Sequence, residues 1–200
     1  MTRALAFFGA FNPPTVAHVA LARYALEATG RERVVFVPSK SVYIRGEQHK
    51  DYAFDDAARL GMLLAIAKDR PWMRVTDCEL RAAQQPRTYD TLCRLRRGGT
   101  DAALLMGADK LPELEHIWLH VDQIAREFGI VCLARGEGDC RKLIAEDAYL
   151  SRLAPYIQVI ETPGETRNVS STRVRELLAQ IGALRGELSE LVPDEIMKFL

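Results

Sequence analysis

Two stretches at opposite ends of the 200-residue chain carry residue types suited to gripping phosphate. The first runs Gly9-Ala-Phe-Asn-Pro-Pro-Thr-Val-Ala-His18. An apolar run ends at Gly9, where the missing side chain lets backbone and ligand approach closely, and Pro13 and Pro14 stiffen the turn that follows. Thr15 and His18 are three apart at the start of a helical pattern, so they share one face. A helix N-terminus already favours anions through its free N–H groups and its dipole. A hydroxyl and an imidazole added there make a phosphate cradle; the competing reading is a histidine that serves the helix alone. The second stretch is Val169-Ser-Ser-Thr-Arg-Val-Arg175. Ser170 or Ser171 can cap a helix beginning near Thr172. Two hydroxyls, the free backbone donors and Arg175 one turn on then form a second anion site, suited to a polyphosphate tail. The plainer reading is a capped helix with solvated arginines.

Other chemistry-bearing residues point to less. His116 and His120 are four apart, but no glutamate motif or third ligand accompanies them, so no metal site is expected. Cys78, Cys93, Cys132 and Cys140 form no CxxC pair, which favours reduced thiols in a cytoplasmic protein over a zinc site. Lysine plus arginine balances aspartate plus glutamate at 27 each. No net field therefore draws the chain to nucleic acid or membrane, and neither partner is expected. No apolar run approaches the roughly 20 residues of a membrane helix, and the first residues lack the pattern of a signal peptide. With 48% hydrophobic and 27% charged residues, the composition suits an ordinary globular core.

The elements that must position these residues alternate in type. Short apolar strands are expected at residues 4–8, 34–37, 73–76, 102–106, 129–134 and 156–160. Helical spacing marks 16–29, stopped by Gly30, then 54–68, 88–97, parts of 108–128, 142–150, 171–181 and 194–200. Residues 39–53 read as polar and irregular. Strands alternating with helices, and apolar along most of their length, imply an α/β fold: a Rossmann-like, doubly wound parallel sheet with helices on both faces. The last 30 residues would form a small C-terminal helical appendage. Ligands in such sheets sit beyond the carboxyl ends of the strands, where strand order reverses. That directs attention to Gly9, Pro38, Gly107 and Arg135.

These residues resemble a known pattern. Gly9 to His18 resembles the (His/Thr)-x-Gly-His signature of the adenylyltransferase and cytidylyltransferase superfamily. Val169 to Arg175 resembles its Ile-Ser-Ser-Thr-x-(Ile/Val)-Arg motif, in the form used by nicotinate and nicotinamide mononucleotide adenylyltransferases. Weaker echoes are Val35-Phe-Val-Pro38, His49-Lys50 followed by Arg59 and Met62, Met106-Gly-Ala-Asp109 followed by Trp118, Cys132-Leu-Ala-Arg135 and Leu191-Val-Pro193. The likeness covers nearly the whole chain, as one nucleotidyltransferase domain over 1–200 with its helical part from about 171. There are departures. Ala17 and Ala10 stand where glycines are expected, Trp118 is one residue farther from Asp109, and Pro86-Arg87-Thr88 replaces a Ser-Tyr-Thr segment.

The resemblance implies transfer of AMP from ATP to nicotinate (or nicotinamide) mononucleotide, with release of pyrophosphate, in NAD biosynthesis. It implies catalytic roles for His18, Thr15 and Arg175. ATP would meet Gly9, Ala10, Phe11 and His18 at one end, and Ser170, Ser171, Thr172 and Arg175 at the other. Lys50 and Arg135 would add charge, and Gly107 and Asp109 would meet the ribose. The acceptor would meet Asn12, Arg87, Thr88 and Trp118, with Arg87 pairing a nicotinate carboxylate and Trp118 stacking on the ring. Mg2+ would arrive chelated by the triphosphate rather than in a protein cage. A homo-oligomer is compatible with all of this. Two alternatives stay open: another phosphorylated acceptor, such as phosphopantetheine or a sugar phosphate, and a nucleotide sensor that has lost catalysis.

Overall fold

The computed structural model describes residues 1–46, 54–134, 140–162, 169–180 and 185–200. The chain begins with β1 (Thr2–Gly9), α1 (Val16–Thr29), β2 (Arg33–Pro38), α2 (Ser41–Gly46) and α3 (Asp56–Ala67). It continues through β3 (Met73–Val75), α4 (Thr88–Arg97), β4 (Thr100–Gly107), a 3-10 turn (Ala108–Glu113), α5 (Val121–Phe128) and β5 (Ile130–Ala134). Then come α6 (Cys140–Glu146), α7 (Ala148–Leu153), β6 (Ile157–Glu161), α8 (Ser171–Leu178), α9 (Arg185–Leu191) and a final 3-10 segment (Asp194–Phe199).

Local chemistry explains the boundaries. Thr15 caps α1 and Gly30 ends it in the left-handed conformation at φ 61°. Asp55 caps α3 by accepting the Ala58 N–H at 2.7 Å. The single helix expected over 142–150 is two, because the Asp147 carboxylate accepts the N–H groups of Tyr149 (2.9 Å) and Leu150 (2.8 Å) and restarts the helix as α7. The expected last helix is a 3-10 segment, and α9 lies where no helix was expected. Residues 41–46, read as irregular, form α2.

The six strands among the described residues are all parallel, in the order β3-β2-β1-β4-β5-β6. Successive side chains along a strand face opposite sides, so near-continuous apolar strands make two cores. Ala4, Ala6, Val35, Val37, Leu104 and Cys132 pack against α4 to α7 on one face. Leu5, Val34, Phe36, Leu105 and Leu133 pack against α1, α3, α8 and α9 on the other. The C-terminal part belongs to this second layer: Val174, Leu177, Leu188, Val192 and Ile196 are buried there, and Glu195 pairs with Arg70 at 2.6 Å. The four cysteines are free thiols, with the Sγ atoms of Cys132 and Cys140 3.6 Å apart in the first core. Among the described residues no helix is long and apolar enough to cross a membrane.

Candidate functional site

Strand order reverses between β1 and β4, which lie side by side although the chain leaves them for opposite halves of the sheet. Elements diverging from such a point leave a crevice at the carboxyl ends. The crevice here is a cavity of about 620 Å³. The ends of β1 and β4 form its floor, from Phe7 to Gly9 and from Leu104 to Gly107. Around that floor it is lined by Ala10, Phe11, His18 and Tyr43, by Glu79, Gln85, Arg87 and Thr88, and by Asp109, Lys110, Glu113 and Trp118.

An added side chain at either glycine of the floor would meet a neighbour. A Cβ on Gly9 would sit 3.1 Å from the Phe11 ring, and one on Gly107 would sit 2.3 Å from Asp109 Oδ1. Phe11 itself adopts φ 44°, rare for an aromatic residue and costing about 1 kcal/mol or more. Burial of its ring offsets that cost: it packs edge-on to Phe7 at 5.5 Å and against Phe36 at 5.4 Å.

His18 occupies the third position of α1 and closes a reciprocal cap with Thr15. The Thr15 N–H donates to His18 Nδ1 at 3.0 Å, and Thr15 Oγ1 lies 2.7 Å from the same nitrogen. Thr15 Oγ1 in turn accepts the His18 N–H at 3.4 Å. An N–H aimed at Nδ1 needs a lone pair there, so the proton of the neutral ring sits on Nε2. The ring packs beside the Phe11 and Phe7 rings, with centroids 5.2 Å and 6.1 Å away. Thr15 is fully buried and is not in the cavity wall. Its side chain and N–H set the imidazole.

Two arginines and a serine from two distant helices, α3 and α8, hold the loop after β1 by its carbonyl oxygens. Arg59 Nη1 donates to Ala10 O at 2.6 Å, Arg175 Nη1 to Asn12 O at 2.9 Å, and Ser171 Oγ to Pro13 O at 2.7 Å. The two motifs thus meet on one loop. Asn12 and Thr15 are only three residues apart, at most about 11 Å of extended chain.

Three further residues near the loop are engaged or enclosed by the fold. Asn12, expected to touch the acceptor, is buried with its Oδ1 accepting the Phe54 N–H at 2.9 Å, so it fixes the loop. The Ser171 hydroxyl spends its proton on Pro13 and has only lone pairs to offer a phosphate. The Ala17 methyl is buried and lies outside the cavity wall. Ser170 caps α8 by accepting the Arg173 N–H at 3.2 Å and is exposed, which leaves its hydroxyl proton available beside the helix's first N–H groups. Arg175 also donates Nη2 to Thr172 Oγ1 at 3.2 Å. The expected contacts Lys50 and Arg135 lie outside the described residues.

Electrostatics beside the cavity separate two carboxyls. Burial pushes Glu79 above its ordinary value, only partly opposed by hydrogen bonds from Thr91 (2.8 Å) and Gln85. Burial would raise Asp56 too, but bonds from Ser41 and Arg59 outweigh it and hold that carboxyl low. Arg59 is fully buried, pulled down by desolvation and supported by Asp56 at 2.8 Å. Tyr43, Glu79, Gln85, Lys110 and Glu113 belong to the cavity without having been singled out from the sequence.

Fold and site together define a nucleotide-binding α/β transferase: a doubly wound sheet whose switch point carries an imidazole and a capped, arginine-bearing helix. The chain matches the Cytidylyltransferase-like family over residues 6–177 and belongs to it. It is a nucleotidyltransferase. Among its relatives, a probable nicotinate-nucleotide adenylyltransferase of Neisseria meningitidis serogroup C is 33% identical over 188 residues, covering 90% of this chain and 89% of that one. One of the same description from Caldicellulosiruptor bescii is 27% identical over 179 residues, covering 90% and 88%. The Plasmodium falciparum nicotinic acid mononucleotide adenylyltransferase complexed with NaAD shares the fold at a TM-score of 0.74 and 15% identity, covering 100% of this chain and 94% of that one.

Proposed function

We propose that this chain transfers the AMP part of ATP to nicotinate mononucleotide, forming the dinucleotide and pyrophosphate. The observation that carries the reading is the meeting of His18 and the Ser170–Arg175 helix start on one loop at the switch point. The similarity to relatives named for this reaction supports the acceptor.

The attacking group is the acceptor's phosphate. Its second pKa is about 6, so it is mostly dianionic at neutral pH and needs no strong base. The task is to bring two polyanions together and stabilise the charge that develops on the α-phosphate and the leaving pyrophosphate. The Nε2–H of His18 donates to the α-phosphate. Ser170, the free N–H groups of α8 and Arg175 hold the β- and γ-phosphates. Mg2+ enters as part of the substrate, chelated by the triphosphate and water. Asp109, exposed at the end of β4, meets the ATP ribose beside Gly107. At the acceptor end, α4 starts without a side-chain cap, and Arg87 and Thr88 at that start line the cavity. Free N–H groups and a guanidinium suit a carboxylate, so the acid is preferred to the amide; Trp118 offers its ring to the pyridine.

The test is pyrophosphate release by the purified protein with ATP and four acceptors: nicotinate mononucleotide, its amide, phosphopantetheine and a sugar phosphate. Nicotinate mononucleotide should give the highest kcat/KM. Release with phosphopantetheine alone, or with none of the four, overturns the proposal. Arg87→Ala should also narrow the preference for acid over amide, and an unchanged preference removes Arg87 from the acceptor site.

A further inference from the structure

One aromatic side chain in the cavity wall has no role in the scheme above. Tyr43 lies on α2, is half-buried and lines the cavity. Its helix has six residues, too few to persist on its own propensity, and is held by bonds at its first turn. Ser41 donates its N–H (2.7 Å) and its hydroxyl (2.5 Å) to Asp56 Oδ1, which pairs with buried Arg59. Just before it, the Lys40 N–H donates to Gln85 Oε1 at 2.8 Å, and Lys40 Nζ reaches Leu80 O and Ala82 O, each at 2.7 Å. Gln85 is oriented in turn by its bond to buried Glu79. The start of α2 is therefore fastened to the 80–85 segment, which runs directly into Arg87 and Thr88. Within α2, Ser41 and Ile44 are buried and Val42 is 80% exposed. Tyr43 faces the cavity instead, and among the described residues its hydroxyl has no hydrogen-bond partner and its ring no aromatic neighbour.

We propose that Tyr43 is a specificity-determining contact for the acceptor's ring, supplying an aromatic face to a flat cationic heterocycle in the cavity that Arg87 also lines. This rests on the acceptor proposed above, whose pyridinium nitrogen is positively charged. A cation over an aromatic face is attracted by the ring quadrupole, and the ring alone supplies that face.

The experiment is steady-state kinetics of wild type, Tyr43→Ala, Tyr43→Leu and Tyr43→Phe, with the KM of nicotinate mononucleotide and that of ATP measured separately. Tyr43→Ala and Tyr43→Leu should raise the acceptor KM about fivefold or more, leaving the ATP KM and kcat within about twofold. Tyr43→Phe should stay near wild type. Leucine keeps the bulk, so a loss with leucine as well as alanine reports the aromatic face and not a collapsed wall. An acceptor KM unchanged in both variants, or an ATP KM raised equally, overturns the inference. A wild type that turns over no pyridine mononucleotide refutes the proposed function itself; wild-type turnover with indifferent variants refutes only the role of Tyr43.

Discussion

His18 is useful because its ring is set in advance. The Thr15 N–H occupies Nδ1, so the imidazole presents Nε2–H without having to choose a tautomer when substrate arrives. Removing one such donor costs about 10² or more in turnover, and His18→Ala should lose that much kcat in a pyrophosphate-release assay, whereas near-wild-type turnover would remove the role given to it. Glu79 makes a prediction in pH. Its folded pKa is raised by burial. The stability it contributes is therefore fully present below the ordinary carboxyl range and is lost as pH rises through the folded value. Glu79→Gln removes that dependence, so the stability of the variant relative to wild type should climb from acidic to neutral pH in denaturant titrations. A difference independent of pH would contradict the burial account. At this scale the sequence was legible where residue type alone names the chemistry, as with His18 and Arg175. It was not legible where one hydroxyl has two uses. Nothing local says that Ser171 donates to Pro13 158 residues away, or that Asn12 spends its side chain on the Phe54 backbone.

At the scale of elements, the loop after β1 takes its shape from distant donors. Arg59 bonds the carbonyls of Ala10, Ser39 and Phe54 and pairs with Asp56, joining three chain segments at the cavity edge. Arg59→Met takes the guanidinium donors from Ala10 O and Ser39 O and the ion-pair partner from Asp56, and should destabilise the fold by about 3–5 kcal/mol, read from urea unfolding. A loss under about 1 kcal/mol would mean that the loop holds itself. Gly107→Ala drives a methyl into the Asp109 carboxylate; it should raise the ATP KM while leaving the unfolding midpoint near wild type, since Asp109 is exposed and can swing away. Helices with strong apolar spacing and a good cap were legible to within a residue or two, as in α1 and α4. The short α2 was not, because it lives on tertiary bonds from Lys40 and Ser41 rather than on its own pattern. The 142–150 helix was misread because its break is made by the Asp147 side chain, inside an unbroken apolar rhythm.

Across the whole molecule, alternation of strands and helices announces a parallel sheet but not its order, since many orders satisfy the same alternation. The order β3-β2-β1-β4-β5-β6 supplies what the sequence could not: it places the ends of β1 and β4 together and folds the C-terminal helices back onto α1 and α3. That return path delivers Arg175 to the loop that positions His18. The central claim is that these two residues, 157 positions apart in the chain, serve one triphosphate. A double-mutant cycle on kcat/KM for ATP, with His18→Ala, Arg175→Ala and both together, tests it most directly. Residues acting as a unit give a double variant that loses clearly less than the product of the two single losses, which is the result predicted here. A loss equal to that product, as from two independent sites, would contradict it.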